Sequence, residues 1–173
     1  MNEREKAVTE NTGSRRRTVL GWLSATTALA TTAGVAACQQ APRIYDMQVS
    51  RDTGCPCCHV WTELMQATGR FRVTMVDAPD LPAFKKQLGV PAGLGSCHTA
   101  VVDTFVVEGH VPAEDILRLL DQRPTGVRGI AVPGMPRGSP GMEQPNGAVD
   151  AYEVIAFGVD GSQSVFSRYA GSP

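Results

Sequence analysis

The sequence has 173 residues, with 16 lysines and arginines against 17 acidic residues; 42% of it is hydrophobic and 19% charged. That length suits one domain of roughly 100–200 residues, and a net charge of −1 lacks the basic excess that phosphate contacts require, which excludes nucleic acid as an expected partner. The 18 glycines and 12 prolines make the chain loop-rich but fall short of the roughly 25–30% that marks low complexity, so disordered, collagenous and multi-span membrane classes are excluded as well.

Residues 1–37 read as an export signal. Arg15, Arg16 and Arg17 lead into Thr18-Val19-Leu20-Gly21-Trp22-Leu23 and an Ala/Thr/Gly-rich run that carries no charge before Arg43. A cationic start, a mildly apolar stretch and small residues before a cut are the parts of such a signal. The run is short and weakly apolar for a spanning helix, which needs about 20 strongly apolar residues. Ser14-Arg15-Arg16-Arg17 resembles the twin-arginine signal, with ordinary secretion as the alternative. Val35-Ala36-Ala37-Cys38 resembles a bacterial lipobox, which would make Cys38 the lipidated first residue of the exported chain; a spare, unpaired cysteine is the alternative. A chain running on from residue 38 is long enough to bury about two-thirds of its unfolded surface without staples, which frees its other cysteines for chemistry.

After a tether at residues 38–43, Tyr45, Met47 and Val49 alternate with polar residues and predict a strand with one wet face. Val60, Trp61, Leu64, Met65 and Thr68 form an apolar stripe at helical spacing, ended by Gly69. Phe71, Val73 and Met75 predict a second strand. Asp80 caps a helix carrying Leu81, Phe84 and Leu88, with Lys85 and Lys86 on its solvated face and Gly89 at its end. Residues 99–102 and 105–108 predict a hairpin turning at Asp103-Thr104. Pro112 opens a third helix, with Glu114 and Asp115 in its first turn, Ile116, Leu117, Leu119 and Leu120 inward, and Arg118 and Arg123 toward the end where cations suit the dipole.

The expected order over residues 44–123 is β-α-β-α-β-β-α, a thioredoxin-like α/β topology with cysteines between the first strand and its helix. Residues 124–147, with five prolines and six glycines, show little periodicity and are too long for an idle connector. Residues 152–157 and 164–169 read as a closing β-hairpin. Residues 124–173 are thus expected to be a C-terminal extension packing on a metal-binding domain at 44–123.

Cys55-Pro56-Cys57-Cys58 carries the chemistry. Cys55 and Cys58 alone make a C-x-x-C redox pair whose thiolates a helix N-terminus would stabilise. A dithiol enzyme gains nothing from Cys57, whereas three converging thiolates make a soft ligand set for Cu(I) or Zn(II), with metal charge offsetting their repulsion. A fourth thiol, Cys97, precedes the third strand and is expected to face the other three. Met135 and Met142 flank a turn-rich loop and offer thioether sulfur; His98 and His110 offer imidazole nitrogen. Each has a plainer reading, core filler for the methionines and a turn or capping residue for the histidines. His59 is expected on an exposed helix face, and Trp61 in the core or over the site.

Five separated blocks give a family resemblance: residues 55–61 (Cys-Pro-Cys-Cys-His-Val-Trp), 89–91 (Gly-Val-Pro), 96–100 (Ser-Cys-His-Thr-Ala), 108–112 (Glu-Gly-His-Val-Pro) and 132–143. In this order they resemble the CopG-type copper-resistance proteins of the Gram-negative cell envelope, over about residues 44–170. The resemblance implies a thioredoxin-like domain with a C-terminal extension. It also implies several copper ions bridged by Cys55, Cys57, Cys58 and Cys97, and copper redox handling for detoxification. The expected partners are copper ions and copper efflux or other periplasmic copper-handling proteins. The expected state is a monomer facing the periplasm, touching the membrane only through a lipid anchor. Two other functions stay open: a thiol–disulfide oxidoreductase using Cys55 and Cys58, and a structural zinc module.

Overall fold

The computed structural model describes residues 41–172; the expected export signal, the lipidation site Cys38 and the start of the tether lie outside the described residues. The elements run β1 (Tyr45–Arg51), α1 (Pro56–Ala67), β2 (Phe71–Asp77), α2 (Leu81–Gln87), a short 3₁₀ turn (Ala92–Leu94), β3 (His98–Val102), β4 (Phe105–Glu108), α3 (Ala113–Gln122), β5 (Val127–Ala131), β6 (Tyr152–Gly158) and β7 (Gln163–Tyr169). All seven strands form one mixed sheet in the order β2-β1-β3-β4-β5-β6-β7. The pairs β1/β2 and β4/β5 are parallel and the other four antiparallel.

Alternation along the strands builds two apolar layers. Met47, Val49, Val102, Val107, Ile130 and Val154 face α1 and α3, which contribute Trp61, Met65, Ile116 and Leu119. On the opposite face Val106, Ala131 and Phe157 meet Val90 and Leu94 from the segment after α2. Asp80 caps α2 by accepting from the Ala83 N–H at 3.0 Å, and Gly69 and Gly89 take the positive φ that ends the preceding helices. Among the described residues no helix is long and apolar enough to cross a membrane.

Three expectations need correction. Residues 124–147, expected to lack regular structure, contain β5. This strand is buried at Gly129, Ile130 and Ala131 alike, so it shows no alternation, and its central glycine weakens the strand signal. Gly129 is there because a Cβ would stand 2.2 Å from the Val106 carbonyl oxygen of β4. Second, α1 buries Cys58, Trp61, Thr62 and Met65, whereas Val60 and Leu64 are 42% and 38% exposed. The buried face follows i, i+3, i+4, i+7 only once the thiol counts as an inward residue. Third, Arg118 does not serve the end of α3. It reaches Asp115 at 2.7 Å and the Phe166 carbonyl at 3.0 Å. Asp115, buried on α3, also accepts from Ser167 and Tyr169 of β7.

Candidate metal centre

Sheet register assembles the site. In the antiparallel β1/β3 pair Arg51 stands opposite His98, so the chain leaving β1 and the chain entering β3 meet at one end of the sheet. In the β3/β4 hairpin Thr99 stands opposite Glu108, which brings residues 109–110 to the same end. The turn at Asp52–Gly54 then delivers Cys55 as the N-cap of α1, with Pro56 in its first positions and Arg51 donating to the Cys55 carbonyl at 3.0 Å. Cys57 and Cys58 follow on the first helical turn.

The four sulfurs lie within 4.8 Å of one another. Cys55 and Cys58 are joined as a disulfide, while Cys57 and Cys97 are free. Cys57 Sγ is 3.4 Å from Cys55 Sγ and 3.8 Å from Cys97 Sγ, and Cys58 Sγ is 3.6 Å from Cys97 Sγ. Two sulfurs sharing one ion at roughly 2.3 Å each stand no more than about 4.6 Å apart; the three measured separations fall inside that limit. In the metal-free state burial, followed by the neighbouring Cys57 charge, pushes the Cys97 thiol up to about 12. A soft cation reverses that repulsion, because thiolate is the form that ligates.

Both candidate histidines reach the fourth thiol. Cys97 Sγ lies 3.1 Å from His110 Nε2 and 3.3 Å from His98 Nδ1. His110 Nδ1 sits 2.7 Å from the Pro140 carbonyl oxygen; a carbonyl only accepts, so Nδ1 carries the hydrogen and the Nε2 lone pair faces the sulfur. His98 is fully buried, tilted against Trp61 at 4.5 Å between ring centroids and edge-on to His110 at 5.0 Å. Its Nε2 has no hydrogen-bond partner among the described residues. Trp61, packed on the His98 ring, donates from Nε1 to the Val111 carbonyl at 2.9 Å.

The proline- and glycine-rich loop lies on the cysteine turn. A Cβ at Gly141, whose φ is +83°, would stand 3.0 Å from Trp61 N and 3.2 Å from the Cys57 carbonyl oxygen, so glycine suits that approach. Met142 is half-buried in this loop, Met135 is 52% exposed beside it, and His59 is exposed. A cavity of about 720 Å³ lined by Arg43, Tyr45, Asp46, Gln48 and Thr74 touches none of the cluster.

Lys85 departs from its expected solvated face. Its side chain is 14% exposed and its ammonium pairs with the fully buried Glu108, while also donating to Thr99 Oγ1 at 2.8 Å. Neither residue carried a sequence signal beyond Glu108's place in the 108–112 motif.

Burial first, then the His110 and Lys85 charges, push His98 from its ordinary 6.5 down to about 3. His110 is lowered too, chiefly by burial. Between those pH values the unfolded chain binds a proton at His98 that the folded chain refuses. Stability is therefore whole above the ordinary histidine value and is lost as pH falls toward about 3. The urea midpoint of the metal-free chain is expected to fall between about pH 7.5 and about pH 5. It should fall less in His98→Gln; equal falls in both would remove His98 as a cause.

Residues 94–142 match the family model described as "Protein of unknown function, DUF411". Among curated proteins nothing matches the chain. Two solved structures are similar to it, each at 45% identity. "Copper resistance protein copG- Form 1" has a TM-score of 0.69, covering 76% of this chain and 100% of that one. "Copper resistance protein copG- Form 2" has a TM-score of 0.68, covering 73% and 99%.

Proposed function

The chain belongs to the CopG-type copper-resistance family, and on that premise we propose that it holds several copper ions in a thiolate-bridged cluster at Cys55, Cys57, Cys58 and Cys97. The observation that carries this is the placing of Cys97, from another part of the chain, within 4.8 Å of the other three sulfurs. Soft sulfur is the donor type Cu(I) favours, and a thiolate can bridge two ions, which a set of four around one ion does not need. His110 Nε2 and His98 Nδ1 are the nitrogen donors next to the bridging sulfur of Cys97, with Met135 and Met142 as outer thioethers. The sulfurs ligate in the reduced form, two electrons below the disulfide. Imidazole beside thiolate also accommodates Cu(II), which supports interconversion of the two copper states at this centre by one-electron exchange with an external redox partner.

The rest of the proposal rests on the sequence motifs and on the family. Residues 44–123 form a thioredoxin-like metal-binding domain, and residues 124–173 an extension that ends in a hairpin and covers the site. The chain is exported by a twin-arginine-type signal and anchored through Cys38 on the periplasm-facing side of the envelope. It acts as a monomer, exchanging copper with efflux or periplasmic copper-handling proteins. In an oxidising compartment unprotected dithiols close, and ligation keeps neighbouring thiols reduced.

Anaerobic Cu(I) titration of the reduced chain tests this. Two or more coppers per chain, with the four thiols protected from alkylation, is the expected result. Fewer than two, with thiols freely alkylated in the loaded sample, overturns the cluster. The Cys55–Cys58 disulfide favours a second function, thiol–disulfide exchange, which predicts metal-free turnover of a disulfide substrate. A structural zinc module would instead show one tightly held zinc and unfolding on chelation.

A further inference from the structure

Three consecutive residues at the end of β4 hold the segment from Ser96 to Thr99 that carries Cys97. Gly109, at φ +73°, lets its backbone close on Ser96: a Cβ there would stand 2.6 Å from the Ser96 side chain. His110 reaches Cys97 Sγ at 3.1 Å. Glu108 does the third part. It is fully buried, and its Oε1 accepts the Ser96 N–H at 2.6 Å, directly before Cys97, together with the Lys85 ammonium. Its Oε2 accepts from Thr99 Oγ1 at 2.6 Å. The carboxylate thus ties the residues on both sides of Cys97–His98 to β4. Ser96 is anchored again from its hydroxyl to the Gly134 carbonyl. A buried carboxylate without a counter-ion is strongly unfavourable, and Lys85, arriving from α2, is the cation that permits it.

We propose that Glu108, paired with Lys85, is the positioning residue for Cys97, holding the residue 95–97 loop so that the fourth sulfur faces the other three. It touches no sulfur itself and acts through the Ser96 N–H before Cys97 and the Thr99 hydroxyl after His98. The proposal rests on the copper reading for its purpose, but the geometry it describes exists before any metal binds.

The test is therefore made on the reduced, metal-free full-length chain, by mapping iodoacetamide labelling of Cys97 and Cys57 with mass spectrometry. Releasing the loop in Glu108→Ala should speed labelling of Cys97 by about tenfold or more, as expected when a held segment opens locally, and leave Cys57 within about twofold. Glu108→Gln keeps an oxygen for the Ser96 N–H and should restore slow labelling. Lys85→Met leaves the carboxylate uncompensated and should resemble Glu108→Ala, whereas Lys85→Met combined with Glu108→Gln should label slowly again, because the pair is removed together. If Glu108→Ala does not fold, Lys85→Met against the double variant decides. Equal labelling of Cys97 in those two, or in Glu108→Ala and wild type, overturns the proposal. Labelling needs no copper, so a chain that follows this pattern yet takes up no copper supports the positioning role and sinks the copper function alone.

Discussion

Cys57→Ser is expected to weaken Cu(I) binding as severely as Cys55→Ser. Both sulfurs belong to one group of four within 4.8 Å, and Cys57 lies between Cys55 at 3.4 Å and Cys97 at 3.8 Å. A sulfur in that place is shared by any cluster spanning the helix and the Cys97 loop. Losing it should cost at least the roughly 10–100-fold in affinity that even outer partners of a metal site cost. Cys97→Ser should do the same and should also detach His98 and His110 from the sulfur they both face. Competition titration against a Cu(I) chelator measures this directly. A disulfide exchange enzyme gives the opposite ranking: Cys55→Ser abolishes turnover, and Cys57→Ser leaves it intact. Wild-type copper affinity in Cys57→Ser would falsify the shared cluster.

Trp61→Ala should cost about 3–5 kcal/mol, the usual range for truncating a buried large aromatic side chain. That is a large share of the roughly 5–15 kcal/mol that holds a domain folded. Trp61 has no exposed surface, packs with Met47, Met65 and Ile116 in the main core, donates to the Val111 carbonyl and supports the His98 ring. The cavity would open beneath the candidate metal centre, so copper affinity should fall along with the urea midpoint. Trp61→Phe separates the two effects. It keeps most of the apolar volume and loses the hydrogen bond, worth about 1 kcal/mol, and should fold nearly as well as wild type. An alanine variant within about 1 kcal/mol of wild type would show that the ring is not part of the core.

Much of the fold was legible where the signal is local. Alternation marked β1 and β2, and the Asp103-Thr104 turn between two short runs marked the β3/β4 hairpin; Asp80 marked the start of α2 and Gly69 and Gly89 the ends of two helices. What escaped depended on partners far along the chain. β5, between β4 and β6 in the sheet, is buried at Gly129, Ile130 and Ala131 alike, with Ile130 in one apolar layer and Ala131 in the other, so no alternation announces it. The inward face of α1 includes a thiol, and a stripe counted on apolar residues alone is rotated off it. Lys85 reads as solvent-facing until Glu108, 23 residues later, is placed beneath it. Arg118 reads as a dipole partner until β7 brings Ser167 and Phe166 alongside.

The same division runs through the site. Side-chain chemistry and short spacing belong to the sequence: three thiols at the first turn of a helix, a fourth beside a histidine, and a glycine-rich loop too long to be idle. The expected order of elements already set the fourth thiol facing the other three; that two imidazoles converge on it and that a buried carboxylate holds its loop were decided by strand register. Arg51 opposite His98 and Thr99 opposite Glu108 bring three chain segments to one end of the sheet. Register is set by which faces of all the strands must be buried together, a condition on the whole sheet that no short stretch of residues carries by itself.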